Sequence, residues 1–141
     1  IYARQAKKTI VTLAKGTVNT VTDGSKYADS SDENAPDAAV FSQGDLSING
    51  SGSLTVKANA ANGIGTKDDL VITGGKISVT AANDGLRGRD SIAIKDGTFT
   101  INAGGDGLQA NNDEDSDKGW ISIDGGQFAI TAEKDGLQAE T

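Results

Sequence analysis

Along the middle of the chain, apolar side chains recur two positions apart in paired runs. Leu70 and Ile72 are followed by Ile77 and Val79, Ile92 and Ile94 by Phe99 and Ile101, and Ile121 and Ile123 by Phe128 and Ile130. A period of two marks short strands with one face buried. Between the two runs of each set stand Gly74-Gly75, Asp96-Gly97 and Gly125-Gly126, dipeptides that admit the positive φ of a tight corner. A third short segment brings in one more inward residue per set: Ile64, Leu86, Leu108 and Leu137.

The sets repeat. Residues 64–85 and 86–107 are two units of 22 residues with nearly the same pattern. Residues 108–136 form a longer unit, 40–63 an earlier one, and 137–141 the start of another. Self-similarity at this period means a solenoid, and three strands with three corners per unit mean a coil of triangular section. The predicted class is therefore all-β, a single-stranded parallel β-helix in which each coil pairs with the coils above and below at about 4.8 Å. No helix is signalled. A unit alone could not bury its apolar face, so the core exists only because coils stack.

Residues 1–39 read as one further coil, with Tyr2-Ala3 resembling Phe41-Ser42 and Thr9 to Leu13 forming a strand. They end in a polar, acidic insertion over 25–38 that holds the single proline. A second insertion, 111–118, lies in the longer unit. The whole of 1–141 is thus one domain. Because it begins abruptly and stops inside a coil, the expectation is a piece of a longer solenoid, its ends covered by neighbouring coils or by end-to-end pairing with another copy.

Charge narrows the functions. Of a net −7, residues 1–39 contribute five basic and five acidic side chains, and residues 40–141 eight and fifteen. An acidic repeat surface repels phosphate, which argues against nucleic acid and anionic membranes and in favour of divalent cations. With no histidine, the commonest general base and zinc ligand is missing. No apolar run reaches the about 20 residues of a membrane span. A chain without cysteine or methionine and rich in Gly, Asp and Thr suits an exposed, oxidising location such as a bacterial cell surface.

Two acidic columns are candidate calcium ligands. The corner after the second strand carries Asp84, Asp106 and Asp135, each followed by glycine, with Asn62 in the equivalent place one unit earlier. Stacked one strand spacing apart, bare carboxylates repel by about 3 kcal/mol at an effective dielectric near 20. An ion between them would relieve this, although Asp-Gly is also an ordinary turn dipeptide with a solvated side chain. A second column is expected from Asp45, Asp68 and Asp90. It leads to the loop residues Asp113, Asp115 and Asp117, whose alternate carboxylates suit a chelating loop or a solvated charge run. Lys118 stands where an EF-hand needs glycine, and the period is far from that of a nonapeptide calcium roll.

The columns bracket the short third face. Its outward positions are expected to be Tyr2, Phe41, Gly65, Arg87, Gln109 and Gln138, with Trp120 outward beside the acidic loop. Rings pack on the C–H faces of sugars and forked donors bind hydroxyls or carboxylates, so these residues are candidate carbohydrate ligands. An ordinary row of exposed side chains is the plainer alternative, and Trp120 could equally cover the edge of the core.

Four segments together resemble a known group: Asp69-Leu-Val-Ile-Thr-Gly-Gly, Asp84-Gly-Leu-Arg-Gly-Arg-Asp-Ser, Gly105-Asp-Gly-Leu-Gln-Ala and Asn112-Asp-Glu-Asp-Ser-Asp-Lys-Gly-Trp. They are similar to the clostridial carbohydrate-binding β-helix family, domains of bacterial surface and cellulosome-associated proteins related in fold to pectate lyases. The resemblance covers essentially the whole chain and implies a right-handed coil, bound calcium, and binding of cellulose-like or polygalacturonate-like polysaccharide rather than catalysis. Asn62 departs from the aspartates of the other corners, which weakens any ion column there. Two alternatives stand beside a calcium-dependent binding module. One is a structural or adhesive surface solenoid or filament subunit rigidified by calcium; the other is a calcium-dependent polysaccharide lyase with Arg87, Arg89 or Lys67 as base.

Overall fold

The computed structural model describes residues 1–27 and 35–140. Sixteen strands follow one another: β1 (Tyr2–Ala3), β2 (Lys8–Leu13), β3 (Val18–Thr22), β4 (Ala38–Ser42), β5 (Asp45–Gly50), β6 (Ser53–Ala58), β7 (Asn62–Thr66) and β8 (Asp69–Ile72), then β9 (Lys76–Ala81), β10 (Leu86–Gly88), β11 (Ser91–Ile94), β12 (Thr98–Ala103), β13 (Leu108–Ala110), β14 (Trp120–Ile123), β15 (Gln127–Ala132) and β16 (Leu137–Ala139). Every third strand joins the same sheet, which is what a coil of three strands requires. The short face is β1-β4-β7-β10-β13-β16, the second β14-β11-β8-β5-β2 and the third β15-β12-β9-β6-β3. All pairings are parallel, and the chain is a right-handed parallel β-helix.

The period-two pattern sets the register. Leu46, Leu70, Ile92 and Ile121 stack in one inward column, and Leu54, Ile77, Phe99 and Phe128 in another. A one-residue slip would turn every one of these side chains to solvent, so burial fixes the register. The Phe99 and Phe128 rings stack at 4.7 Å with 6° between planes. Gly75, Gly97 and Gly126 have φ near +102°, +134° and +106°, as the sequence pattern expects of these corners.

The two ends differ. In the first coil two core columns turn polar, with Thr9 in register with Leu46 and Asn19 with Leu54. Asn19 Nδ2 donates to Ser53 O at 3.1 Å, and the Thr9 and Ser42 hydroxyls share a hydrogen bond at 2.9 Å. In the last coil the columns stay apolar, leaving Ile123 and Leu137 exposed. The insertion expected over 25–38 lies partly outside the described residues, and its far end, Asp37, enters the site below.

Candidate functional site

The corner column is brought together as the sequence implies, but what joins it is a ladder of backbone donors. Asp84 N–H donates to Asn62 Oδ1 at 3.1 Å, Asp106 N–H to Asp84 Oδ1 at 2.9 Å, and Asp135 N–H to Asp106 Oδ1 at 3.0 Å. Each side chain thus satisfies the next coil's amide. Asp84 and Asp106 are buried, and a buried amide without an acceptor is expensive. Their second oxygens are engaged too: Asn83 Nδ2 lies 3.3 Å from Asp84 Oδ2, and Gln109 Nε2 is 2.7 Å from Asp106 Oδ2. Burial pushes the Asp84 carboxyl above the usual carboxylate range; the Asp106 amide, Arg87 and Lys134 pull the other way, and the Asp106 charge adds to the rise.

A calcium ion at this corner would have to compete with those donors. Calcium needs six to eight oxygens converging on one point, whereas these carboxylates face N–H donors. The glycines after Asp84 and Asp106 are there for space. A methyl group on Gly85 would press into Ile101 Cγ2 and lie 2.7 Å from Gly107 O.

The second acidic column is shifted from its expected composition. Leu46 is in register with Leu70, which places Asp45 beside Asp69 and leaves Asp68 to align with Asp90. Asp68 and Asp90 are hydrogen-bonded through their carboxyl groups. Burial, the Asp90 hydrogen bond and the charges of Asp90, Asp45 and Asp69 raise Asp68. Burial works against ionised Asp90 as well, but hydrogen bonds from Lys118, Asn112 and Asp68 outweigh it and hold Asp90 low. Lys118 Nζ and Asn112 Nδ2 each lie 2.7 Å from an Asp90 oxygen.

The loop folds back onto this pair instead of opening as a chelator. Asn112 Oδ1 accepts from the amides of Glu114 and Asp115 at 3.0 and 3.1 Å, Asp115 Oδ1 accepts from Asp117 N–H at 3.0 Å, and Arg89 pairs with Glu114 at 2.6 Å. Asp113, Asp115 and Asp117 therefore do not converge, and among the described residues no three acidic side chains form a group able to hold a metal ion. Asp68 and Asp90 form an acidic pair on which the Lys118 ammonium already sits.

On the short face, Tyr2, Phe41, Gly65, Arg87, Gln109 and Gln138 form one register column. Phe41 departs from expectation: it is 1% exposed, so it presents no open platform to a sugar. The Tyr2 ring lies 5.7 Å away and the Lys67 ammonium 6.0 Å from its centroid. Arg87 Nη1 reaches Asp37 Oδ2 at 2.9 Å, with Lys67 Nζ 3.7 Å from the same oxygen. Gln138 Nε2 bonds Glu140 Oε1. Trp120, 40% exposed, stands on the second sheet in register with Ser91, directly after Gly119, which pairs with Asp90. It is beside the acidic pair and on a different face from Arg87. Sequence reasoning passed over Asp37 and read Lys118 only as the residue that rules out an EF-hand, because partners in other coils give them their roles; Asn62 was legible as the asparagine in the aspartate position.

The model of the family described as carbohydrate-binding domain-containing protein matches residues 1–141. The chain belongs to that family. A carbohydrate-binding domain-containing protein of Acetivibrio thermocellus is 46% identical over 82 residues, 57% of this chain and 29% of the relative. The structure of a polysaccharide lyase-like protein from C. thermocellum, a gadolinium derivative, superposes with a TM-score of 0.86 at 36% identity, over 99% of this chain and 65% of that one. The chain thus spans less than a third of the length of the Acetivibrio thermocellus relative. Its coils are superposable on most of a solved β-helix, with the short face and the acidic pair as its chemically distinctive surfaces.

Proposed function

We propose that the chain is a polysaccharide-binding module of a secreted or cell-surface bacterial protein, taking plant-type polysaccharide of the cellulose or polygalacturonate kind and binding it without cutting it. Family membership supports the class of ligand. The observation that carries the site is the register column on the short face, where Arg87, Gln109 and Gln138 follow one another on adjacent strands and Tyr2 stands further along the same column, beyond Gly65 and the buried Phe41, so that guanidinium, amide and ring groups line one face. Trp120 adds an exposed ring on the neighbouring face.

Calcium belongs to this proposal at one place, Asp68 and Asp90, where it would compete with the Lys118 ammonium. Against catalysis stands the pairing of each candidate base: Arg87 and Lys67 with Asp37, and Arg89 with Glu114. In each case a carboxylate of the chain itself already engages the basic group. Retention on cellulose and on polygalacturonate, each with calcium and with chelator, tests the proposal; release from both in calcium sinks it. An absorbance assay for unsaturated uronates tests the lyase alternative, which the description of the structural relative keeps in play. A structural or adhesive solenoid is the remaining reading, favoured by the exposed apolar side chains Ile10 and Val18 on the outer faces of β2 and β3. End-to-end filaments in electron micrographs, without glycan affinity, would establish it.

A further inference from the structure

The Arg87, Lys67 and Asp37 group has the make-up of an occupied carboxylate seat. Asp37 precedes β4, and its carbonyl accepts from Asn62 N–H at 2.9 Å. From there its carboxylate reaches across the short face to Arg87, two coils further along. Gly65 makes the crossing possible. A methyl group at that position would stand 3.0 Å from Ala38 Cβ and 3.6 Å from Asp37 Oδ1, so even the smallest side chain would fill the space between the sheet and the crossing segment. Beneath the carboxylate lies a floor without a side chain, flanked by two cations and the Phe41 ring.

The contacts are half-open. Side-chain exposures are 25% for Arg87, 33% for Lys67 and 30% for Asp37, so each of the three is in contact with solvent. Arg87 meets Asp37 through Nη1, whereas the strongest guanidinium–carboxylate contact uses two parallel N–H donors. An exposed pair of this kind contributes little to stability and is readily exchanged. The local charge balance also matters, since Arg87 acts on buried Asp84 besides Asp37. A second carboxylate entering beside Asp37 would be repelled, but one replacing it would leave the balance unchanged.

Resting on the glycan-binding reading above, we propose that Arg87 and Lys67 form a subsite for the carboxylate of an acidic sugar residue, and that Asp37 is an internal competitor occupying it in the free protein. The competitor lowers apparent affinity for acidic glycans by the fraction of molecules in which the seat is filled. Neutral glycans do not sense it. The subsite therefore distinguishes a uronate polymer from its neutral counterpart, and Asp37 sets how strongly.

Affinity electrophoresis in chelator, with polygalacturonate and with its fully methyl-esterified form as probes, separates charge from backbone recognition. Asp37→Asn keeps the size of the side chain and removes the charge. It is expected to bind polygalacturonate about tenfold more tightly than the wild type while binding the ester unchanged. Arg87→Gln is expected to abolish the preference for acid over ester. If Asp37→Asn, folded by circular dichroism, leaves the acid-to-ester ratio unchanged or lowers it, the proposal is overturned and Asp37 is only a clamp. Should neither polymer nor cellulose retain the wild type or the variant, the glycan-binding reading fails. Galacturonate monosaccharide titrated against the Arg87 side-chain NMR signal then decides the subsite. A shift in Asp37→Asn larger than in the wild type upholds it, and no shift in either overturns it.

Discussion

The backbone N–H of Asp106 donates to Asp84 Oδ1 one coil earlier, at 2.9 Å, and both residues are buried. The carboxylate therefore does the work of a main-chain acceptor at a corner where the carbonyls already point to other amides. Asn62 does the same for Asp84, which shows that the rung needs an oxygen and no charge.

Asp84→Asn should consequently keep the ladder and relieve the burial of a charge. Because burial raises the folded-state value of Asp84 above its unfolded one, ionising it weakens the fold as pH rises through and beyond the ordinary carboxylate range. The asparagine variant should match the wild type in acid and be equally or more stable at pH 7. Asp84→Ala should lose about 1–3 kcal/mol at both, since it strands a buried amide. Urea denaturation at pH 3 and pH 7 checks this; marked loss in Asp84→Asn only when calcium is present would return the corner to the ion.

Lys118 is where a cation response is expected. In the wild type its ammonium holds Asp90 low, so the stability due to ionised Asp90 is present above the ordinary carboxylate value and disappears as pH falls through the lowered one. Lys118→Ala should move that acid loss to higher pH. It should also make the melting temperature more sensitive to calcium against chelator than it is in the wild type. Thermal melts across pH, with and without the ion, measure both.

Gly85→Ala should destabilise by about 1–3 kcal/mol, because the added methyl has only Ile101 and the Gly107 carbonyl to push against. The same change at Gly136, where nothing lies within 4 Å, should be tolerated. Guanidinium midpoints of the two variants give the comparison.

Phe99 is 1% exposed and stacked on Phe128. Phe99→Ala should cost about 3–5 kcal/mol and Phe99→Leu much less. Equal losses from both would mean that ring stacking, more than volume, sustains the column.

Trp120→Ala separates a sugar platform from a cover over the core. A residue 40% exposed at the edge of the second sheet should leave the melting temperature nearly unchanged. If the ring contacts glycan, retention on cellulose should fall about tenfold. A large drop in stability with unaltered retention would assign it to the core.

The sequence alone determined the coil. A period of two inside a period of 22 leaves a solenoid as the economical way to bury Leu70, Ile92 and Ile121 together, and the register followed because slipping it would expose every core column. It likewise placed Asp84, Asp106 and Asp135 in line. What it could not decide was the partner of each polar group, because those partners lie one or two coils away and depend on tenths of an ångström. Only the folded chain turned the corner aspartates toward amides, seated Lys118 on Asp90, buried Phe41 and laid Asp37 between Arg87 and Lys67. Apolar burial is non-directional and reads out as pattern; hydrogen bonds and ion pairs are directional and short-ranged, and are settled only in three dimensions.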